Sequence, residues 1–340
     1  MLIVGAIIGA GFATGKEITS FFGSPASPVA AVVVGVGLFL LCSGFCLLGT
    51  ALKAKNFTEA NKKLLKKAGV VADIFLAFNS LIVLAAMLSG MDTLLNDVFP
   101  LSPLYSAFSG VLCAFVVSKG MKSVIGSSLF LAPVMVIIIL AVCVLNFGDS
   151  HIYPVSLKSL VGAVVYVSMN IMLACTTLVG VNEKPKTILW ASLIAACVMT
   201  ALMLAIIFTL NGSDAAGSDM PLMQLASKSK FTYYPFIFAV AASIFTTMTT
   251  AMSGLSNFLQ NKLGEIAPPC ALILGLLVSN LGFADVINIL YPIIGILGVL
   301  YVVLCLAASV FNRRLFYCGD GKIHYSGKKT KNNGRSHNKV

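Results

Sequence analysis

Charged residues are scarce in this sequence: Asp, Glu, Lys and Arg make up 10% of its 340 residues, whereas hydrophobic residues make up 58%. Soluble domains average about 25% charged and about 45–50% apolar residues. A mean hydropathy of +0.97 therefore excludes a water-soluble fold and indicates a protein embedded in lipid. The apolar runs are continuous rather than alternating, which predicts an all-α membrane protein instead of a β-barrel.

Histidine is missing from the apolar segments. His151, His324 and His337 lie in a loop and in the tail. The nine cysteines include no Cys-x-x-Cys pair, and the sequence has no Walker A motif. We therefore expect neither an enzyme nor a transition-metal site, and no cofactor other than a coupling ion such as Na⁺.

Ten hydrophobic segments are candidates for membrane-spanning helices. Their approximate bounds are 2–22, 29–52, 70–91, 104–118, 124–147, 160–181, 187–210, 234–258, 268–284 and 286–311. Basic residues are concentrated after segments 2, 4, 6 and 10, and the intervening loops have no excess of base. By the positive-inside rule, this alternation predicts a multi-pass protein of the cytoplasmic membrane with both termini in the cytoplasm.

The net charge of +11 follows from these loops and from the tail, and does not indicate a nucleic-acid partner. We expect one transmembrane domain, 1–311, and a basic, disordered cytoplasmic tail, 312–340. Lys16 and Glu17 stand where a signal peptide would be cleaved, which argues against a leader sequence. The lipid bilayer and a small-molecule solute are the expected partners, and the sequence leaves the oligomeric state open.

Two loops contain further apolar residues. Residues 53–68 form either a short amphipathic helix on the cytoplasmic surface or a solvated basic loop. The outer loop 211–233 contains an apolar stretch, 220–225, that we expect to pack as a lid.

Ten helices divide into two halves of five, approximately 1–147 and 160–311. An odd number of spans in each half inverts the second half in the membrane, and inverted repeats place a site near the midplane between discontinuous helices. We therefore predict a 5+5 inverted repeat in which segments 1 and 6, which occupy equivalent positions, are both interrupted.

Segment 1 contains four glycines: Gly5, Gly9, Gly11 and Gly15. Each costs about 1 kcal/mol relative to alanine in a helix interior, so a break between Gly9 and Gly15 is expected. Such a break exposes N–H groups that favour carboxylates and carbonyls that favour cations. The same spacing also fits close helix packing through small residues, and the glycines alone do not separate the two interpretations.

Segments 6 and 8 carry polar side chains at membrane depth. Segment 6 contains Ser168 and Asn170, and segment 8 contains Ser243, Thr246 and Thr247. Polar groups in this environment either line a site or make hydrogen bonds between helices, and both interpretations stay open.

The stretch GAIIGAGFATGKEITSFF in segment 1 resembles the opening of the bacterial YkvI-like membrane proteins, and YVSMN in segment 6 resembles a second motif of that family. The resemblance covers nearly the whole chain. It implies the leucine-transporter fold of the amino acid–polyamine–organocation superfamily.

The N–H groups freed at the break predict that the carboxylate of a substrate binds at Gly9, Ala10, Gly11 and Gly15 of segment 1, with Ser168 and Asn170 of segment 6 lining the pocket. The resemblance implies an ion site as well. A sodium ion would bind at the carbonyls of Gly5, Ile8 and Ser243 and the hydroxyls of Thr246 and Thr247. Phe12 replaces the asparagine of a second sodium site, so that site is not expected, and Glu17 is a candidate proton carrier or gate residue.

We therefore expect a secondary active transporter of a small solute, an amino acid, that works by alternating access. Sodium is the expected coupling ion and the proton is the alternative. The alternative function is a non-transporting receptor of the same fold, similar to germinant-receptor subunits.

Overall fold

The computed structural model describes residues 2–96, 104–148, 151–218, 220–279 and 286–311. Its regular structure is helical throughout these ranges. The helices are α1 (Leu2–Ile7), α2 (Ala10–Ala13), α3 (Lys16–Phe22), α4 (Pro28–Leu52), α5 (Phe57–Leu65), α6 (Gly69–Asn96), α7 (Leu104–Ser118), α8 (Met121–Leu145), α9 (Leu157–Leu178), α10 (Pro185–Asn211), α11 (Pro221–Ala226), α12 (Lys230–Leu263), α13 (Ala267–Val278) and α14 (Tyr291–Phe311). The tail predicted to be disordered lies outside the described residues.

Seven helical stretches in the described part of the chain are long and apolar enough to cross a membrane. They coincide with predicted segments 2, 3, 5, 6, 7, 8 and 10, and the shorter helices α7 and α13 coincide with segments 4 and 9. Large apolar side chains on their outer faces are exposed, including Phe130 at 74% and Leu277 at 70%. Such faces suit contact with lipid acyl chains, whereas in water they would drive aggregation.

The helices pack in pairs that are related between the two halves of the chain. The contact of α1 with α8 in the first half has its counterpart in the contact of α9 with α14 in the second. Similarly, α6 packs on α7 as α12 packs on α13. Across the halves, α4 packs on α10 and α6 packs on α12. This arrangement is compatible with an inverted repeat, although the count of ten spans stays a prediction.

The two predicted interruptions differ in outcome. Segment 1 consists of three short helices, α1 to α3, whereas segment 6 is the single continuous helix α9. The prediction of a break in segment 6 is therefore wrong. Residues 163–178 contain neither glycine nor proline. The polar side chains also bond within the helix, since Ser168 Oγ donates to Val164 O and Asn170 Nδ2 donates to Tyr166 O.

Residues 53–68 include the helix α5, so this loop contains the amphipathic helix rather than a solvated basic loop alone. The Asn56 side chain caps its first turn by accepting a hydrogen bond from the Glu59 N–H at 2.9 Å. Phe57, Ala60 and Leu64 are buried on one face, and Lys62 is exposed on the other. The amphipathic pattern therefore anchors α5 against the ends of α4, α6, α9 and α14.

Candidate functional site

The centre of segment 1 changes direction at Gly9 and again at Gly15. Gly9 is extended, with φ −91° and ψ 178°, and its N–H donates to Ile7 O at 2.9 Å. Gly15 has φ +80°, which a side-chain-bearing residue rarely adopts. Two glycines of the predicted break thus carry backbone geometry that a regular helix does not allow.

The turn at Gly9 releases two carbonyl groups from helical hydrogen bonding. In a continuous helix Gly5 O would accept from Gly9 N–H and Ile8 O from Phe12 N–H. Among the described residues neither of these bonds forms, because Gly9 N–H bonds to Ile7 instead. These are the two carbonyls of segment 1 that the resemblance assigns to a sodium ion.

Helix α12 places hydroxyl groups next to these carbonyls. Thr247 Oγ1 donates to Ile8 O at 3.4 Å. Thr246 Oγ1 donates to Ser243 O at 3.1 Å, and all three α12 residues are buried. The structure therefore brings Ile8 and Thr247 into contact, whereas the Thr246 hydroxyl bonds to the Ser243 carbonyl within α12.

Gly5 packs against helix α8. A Cβ atom on Gly5 would lie 3.0 Å from Ser128 Cβ and 3.1 Å from Ser128 Oγ. Ser128 is fully buried, and its hydroxyl makes no hydrogen bond within the described part of the protein. Gly5 thus allows the close approach of α8, as the packing interpretation expected, and leaves an unpaired hydroxyl next to segment 1.

The predicted substrate residues of segment 6 do not face the same way. Tyr166 and Asn170 are four residues apart and share one face of α9. Tyr166 contacts Phe21 and Phe22 of α3, with ring centroids 5.4 and 5.6 Å apart. Ser168 lies on the opposite face, in a groove formed with α4 and α14. The structure therefore brings Asn170, but not Ser168, to the side of α9 that faces segment 1.

Glu17 is the only charged side chain of segment 1 that is buried, with 3% of its surface exposed. Its carboxyl group lies over Gly11 and beside the Phe12 N–H and the Tyr166 hydroxyl. Ala10 and Gly11 lie in the first turn of α2, and Phe12, which replaces the asparagine of the second sodium site, is fully buried.

Helix α11 covers the second turn of segment 1 from the outer loop. Leu222 N–H donates to Thr14 O at 2.9 Å, and the Leu222 side chain is fully buried against Gly15. Gly15 is also covered by Leu210 of α10. The apolar stretch in the outer loop therefore packs on the break, and Gly15 is enclosed by apolar side chains.

Three residues of this region were not predicted as site residues: Ser128, Tyr166 and Leu222. Tyr166 belongs to the YVSMN motif, so its position four residues before Asn170 could have indicated its role. Nothing in the sequence distinguishes Ser128, because a single serine in an apolar span is ordinary in membrane helices.

No family model matches the sequence. The chain is 26% identical over 330 residues to the membrane protein YkvI of Bacillus subtilis strain 168, covering 92% of this chain and 95% of YkvI. It is 27% identical over 331 residues to the protein YyaD of the same organism, covering 90% of this chain and 94% of YyaD.

Two solved structures have a similar arrangement of helices. The structure of MhsT in complex with L-phenylalanine superposes with a TM-score of 0.66 at 13% identity, covering 91% of this chain and 90% of MhsT. The closed conformation of Mhp1, a nucleobase-cation-symport-1 family transporter with bromovinylhydantoin bound, gives a TM-score of 0.65 at 15% identity, covering 92% of this chain and 77% of Mhp1.

The fold and the broken first helix thus define a helical membrane protein with the leucine-transporter fold. Within that class the chain is YkvI-like, as the motifs of segments 1 and 6 indicated.

Proposed function

We propose that the protein is a secondary active transporter that moves a small solute bearing an amino group, such as an amino acid, by alternating access with sodium coupling. The fold supports this proposal, since MhsT was solved with L-phenylalanine and Mhp1 is described as a transporter. A broken helix at the centre of such a fold is where substrates and ions bind in inverted-repeat transporters.

The observation that carries the sodium assignment is the turn at Gly9. It frees the carbonyls of Gly5 and Ile8 at a buried position, and Thr247 Oγ1 lies 3.4 Å from one of them. Ile8 O has only this long contact with a donor, and Gly5 O has none among the described residues. Such buried carbonyls are costly, and a hard cation with oxygen ligands offsets that cost. Sodium is the hard monovalent cation that we assign to this position.

The sodium assignment predicts that Thr247→Ala weakens sodium binding. Removing one of about five oxygen ligands from a buried ion should raise the sodium concentration for half-maximal effect by roughly tenfold or more, as expected for loss of a charge-assisted contact. The measurement is the thermal stability of purified protein titrated with NaCl against KCl. It is followed by uptake of labelled alanine and leucine, and of their amides, into proteoliposomes.

Thr249→Ala is the matched control. Thr249 is also a fully buried threonine of α12, but its hydroxyl bonds only to Phe245 O and Thr246 O of its own helix. The control should keep the sodium response of the unaltered protein. An unchanged sodium response in Thr247→Ala would contradict the ion assignment. Ligand binding without flux in proteoliposomes would instead support the receptor alternative.

A further inference from the structure

The Glu17 side chain folds back onto the break in segment 1. Glu17 is in the first turn of α3, and a Cβ atom on Gly11 would lie 2.5 Å from its Oε1 and 2.9 Å from its Cδ. The carboxyl group therefore occupies the surface of Gly11, where the close approach is possible because glycine has no side chain.

This position is where the freed N–H groups of segment 1 predict the carboxylate of an amino acid substrate. The Phe12 N–H, one of the donors freed at the start of α2, is beside the Glu17 carboxyl group. A second carboxylate at Gly11 would lose that donor and would compete with the Glu17 side chain for the same buried space. The protein's own carboxylate therefore replaces, rather than completes, a binding position for a substrate carboxylate.

Among the residues that the structure describes, no basic side chain is paired with Glu17, and Glu17 Oε2 is buried without a hydrogen-bond partner. The Tyr166 hydroxyl lies beside this carboxyl group. Tyr291 of α14 is the other ionisable side chain close to this carboxyl group. The neighbouring Lys16 ammonium is directed to the outer loop, where it lies 3.5 Å from Ser218 O.

A buried carboxylate with an unpaired oxygen, next to a phenolic hydroxyl and aromatic rings, is suited to an ammonium group. The carboxylate supplies charge-assisted hydrogen bonds, and the ring of Tyr166, whose hydroxyl lies beside it, packs edge-on against Phe21 and Phe22. Aromatic rings near a carboxylate stabilise a cation further through their negative faces.

We propose that the solute is recognised through a protonated amine at Glu17 and Tyr166, and that its class is small amines without a free carboxylate, such as amino acid amides or diamines. This inference rests on the proposed transport function and replaces the amino acid of that proposal with a net cation. Asn170, on the same face of α9 as Tyr166, is placed to contact the rest of the solute.

The experiment compares three forms of the same skeleton: leucine, leucinamide and N-acetylleucine, together with the corresponding alanine series. Leucine is a zwitterion, leucinamide carries only the amine charge, and N-acetylleucine carries only the carboxylate. Thermal shift in detergent reports binding to the purified protein, and uptake into proteoliposomes reports transport. We expect leucinamide or alaninamide to bind at least about tenfold more tightly than the zwitterion, and the acetylated forms not to bind.

Glu17→Gln is the variant, because it keeps the shape of the side chain over Gly11 while removing its charge. It should lose at least about tenfold in affinity for the amides, as expected when a charge-assisted bond is lost. Asp73→Asn is the control for the loss of one buried carboxylate, since Asp73 of α6 is 6% exposed and accepts a hydrogen bond from Asn61 of α5. This control should keep the amide affinity.

Each outcome separates this inference from the transport function. Uptake of leucine or alanine that Glu17→Gln leaves intact would overturn the assignment of the amine to Glu17 and would leave the transport function standing. Amide uptake that is lost in both variants would also overturn the assignment. The absence of any binding or flux of all six compounds in the unaltered protein would contradict the inference and the proposed function together.

If Glu17 instead carries a proton, the same measurements give a different pattern. Uptake would then depend on a proton gradient, and Glu17→Gln would abolish that dependence without changing the preference among the three charge forms. That result would overturn the assignment of the amine to Glu17.

Discussion

Single residues in segment 1 serve two physical purposes that look alike in the sequence. Gly15 is needed for its positive φ, whereas Gly5 and Gly11 are needed for close approach by Ser128 and Glu17. Gly9 is extended and lies against Thr247. The packing interpretation is therefore confirmed for Gly5, whereas the site interpretation of the other glycines stays a prediction.

The comparison of Gly15 with Gly23 separates backbone strain from packing. Both have positive φ, at +80° and +84°, but a Cβ on Gly15 would lie 3.1 Å from Leu210 Cδ1, whereas Gly23 has no atom within 4 Å. We expect Gly23→Ala to destabilise by about 1–3 kcal/mol through strain alone, because its ψ of −177° lies in a region that essentially only glycine adopts. Gly15→Ala should destabilise by about 2–4 kcal/mol, because crowding adds to the strain.

Thermal unfolding of the two variants in the same detergent measures this difference. A Gly23→Ala variant as unstable as Gly15→Ala would mean that strain dominates and that the lid residues over Gly15 contribute little. Sodium titration of both variants would further report whether the turn at Gly15 affects sodium binding.

At the scale of elements, α5 is tied to two membrane helices by a buried polar chain. Asn61 Nδ2 donates to Asp73 Oδ1 of α6 at 2.8 Å, and the Tyr301 hydroxyl of α14 donates to Asn61 Oδ1 at 3.1 Å. All three side chains are buried. One amide thus joins the amphipathic helix to a span from each half of the chain.

Removing the Asn61 amide should destabilise the protein more than removing the Tyr301 hydroxyl that bonds to it. Asn61→Ala leaves the buried Asp73 carboxylate and the Tyr301 hydroxyl without partners, and we expect a loss of about 2–4 kcal/mol. Tyr301→Phe removes one donor and should cost about 1 kcal/mol. Lys62→Ala, on the exposed face of α5, should be neutral within about 0.5 kcal/mol.

The measurement is thermal unfolding followed by intrinsic fluorescence or by aggregation in detergent. Equal stability of Asn61→Ala and Lys62→Ala would contradict a structural role for the amide. The same variants would then be tested for transport. Helix α5 contacts a span from each half of the chain, and the proposed alternating access would move such spans relative to each other.

At the scale of the whole molecule, composition and charge were sufficient to place most helices. The helices α4, α8 and α10 begin and end within about three residues of predicted segments 2, 5 and 7. Long apolar runs locate spans well because lipid forces the backbone to bond within each segment. Helix α12 extends to Lys230–Leu263, beyond its predicted 234–258, because its polar ends continue the helix outside the apolar run.

The candidate site was less predictable, since it depends on side-chain direction. Asn170 and Ser168 are two residues apart, so a continuous helix places them on opposite faces. Both side chains could face the same site only if the helix were interrupted there. The fold-back of Glu17 could not be read from spacing either, because it follows from the turn at Gly15. Local sequence identifies which residues are unusual, whereas the tertiary contacts decide which of them meet.

The topology can be tested at α7, the short helix whose crossing decides the parity of the first half. Its 15 residues extend about 22 Å at 1.5 Å per residue, less than the roughly 30 Å hydrocarbon core. The charge pattern nevertheless predicts that Asn96 lies outside and Lys119 inside. Alkaline phosphatase is active only outside the cytoplasm, and green fluorescent protein exported unfolded through the general secretion route is fluorescent only within it.

Fusions ending at Asn96 should therefore give active phosphatase and no fluorescence, and those ending at Lys119 should give the reverse. Fusions at Glu265, before α13, and at Asp285, after α13 in the sequence, should show the same reversal of the two reporters. Glu265 is predicted to lie inside and Asp285 outside. If both reporters behave alike at Asn96 and Lys119, α7 does not cross. The first half then has an even number of spans, and the second half cannot be inverted relative to it. The pairing of α1–α8 with α9–α14 would then need another explanation, because inversion is what makes those contacts equivalent.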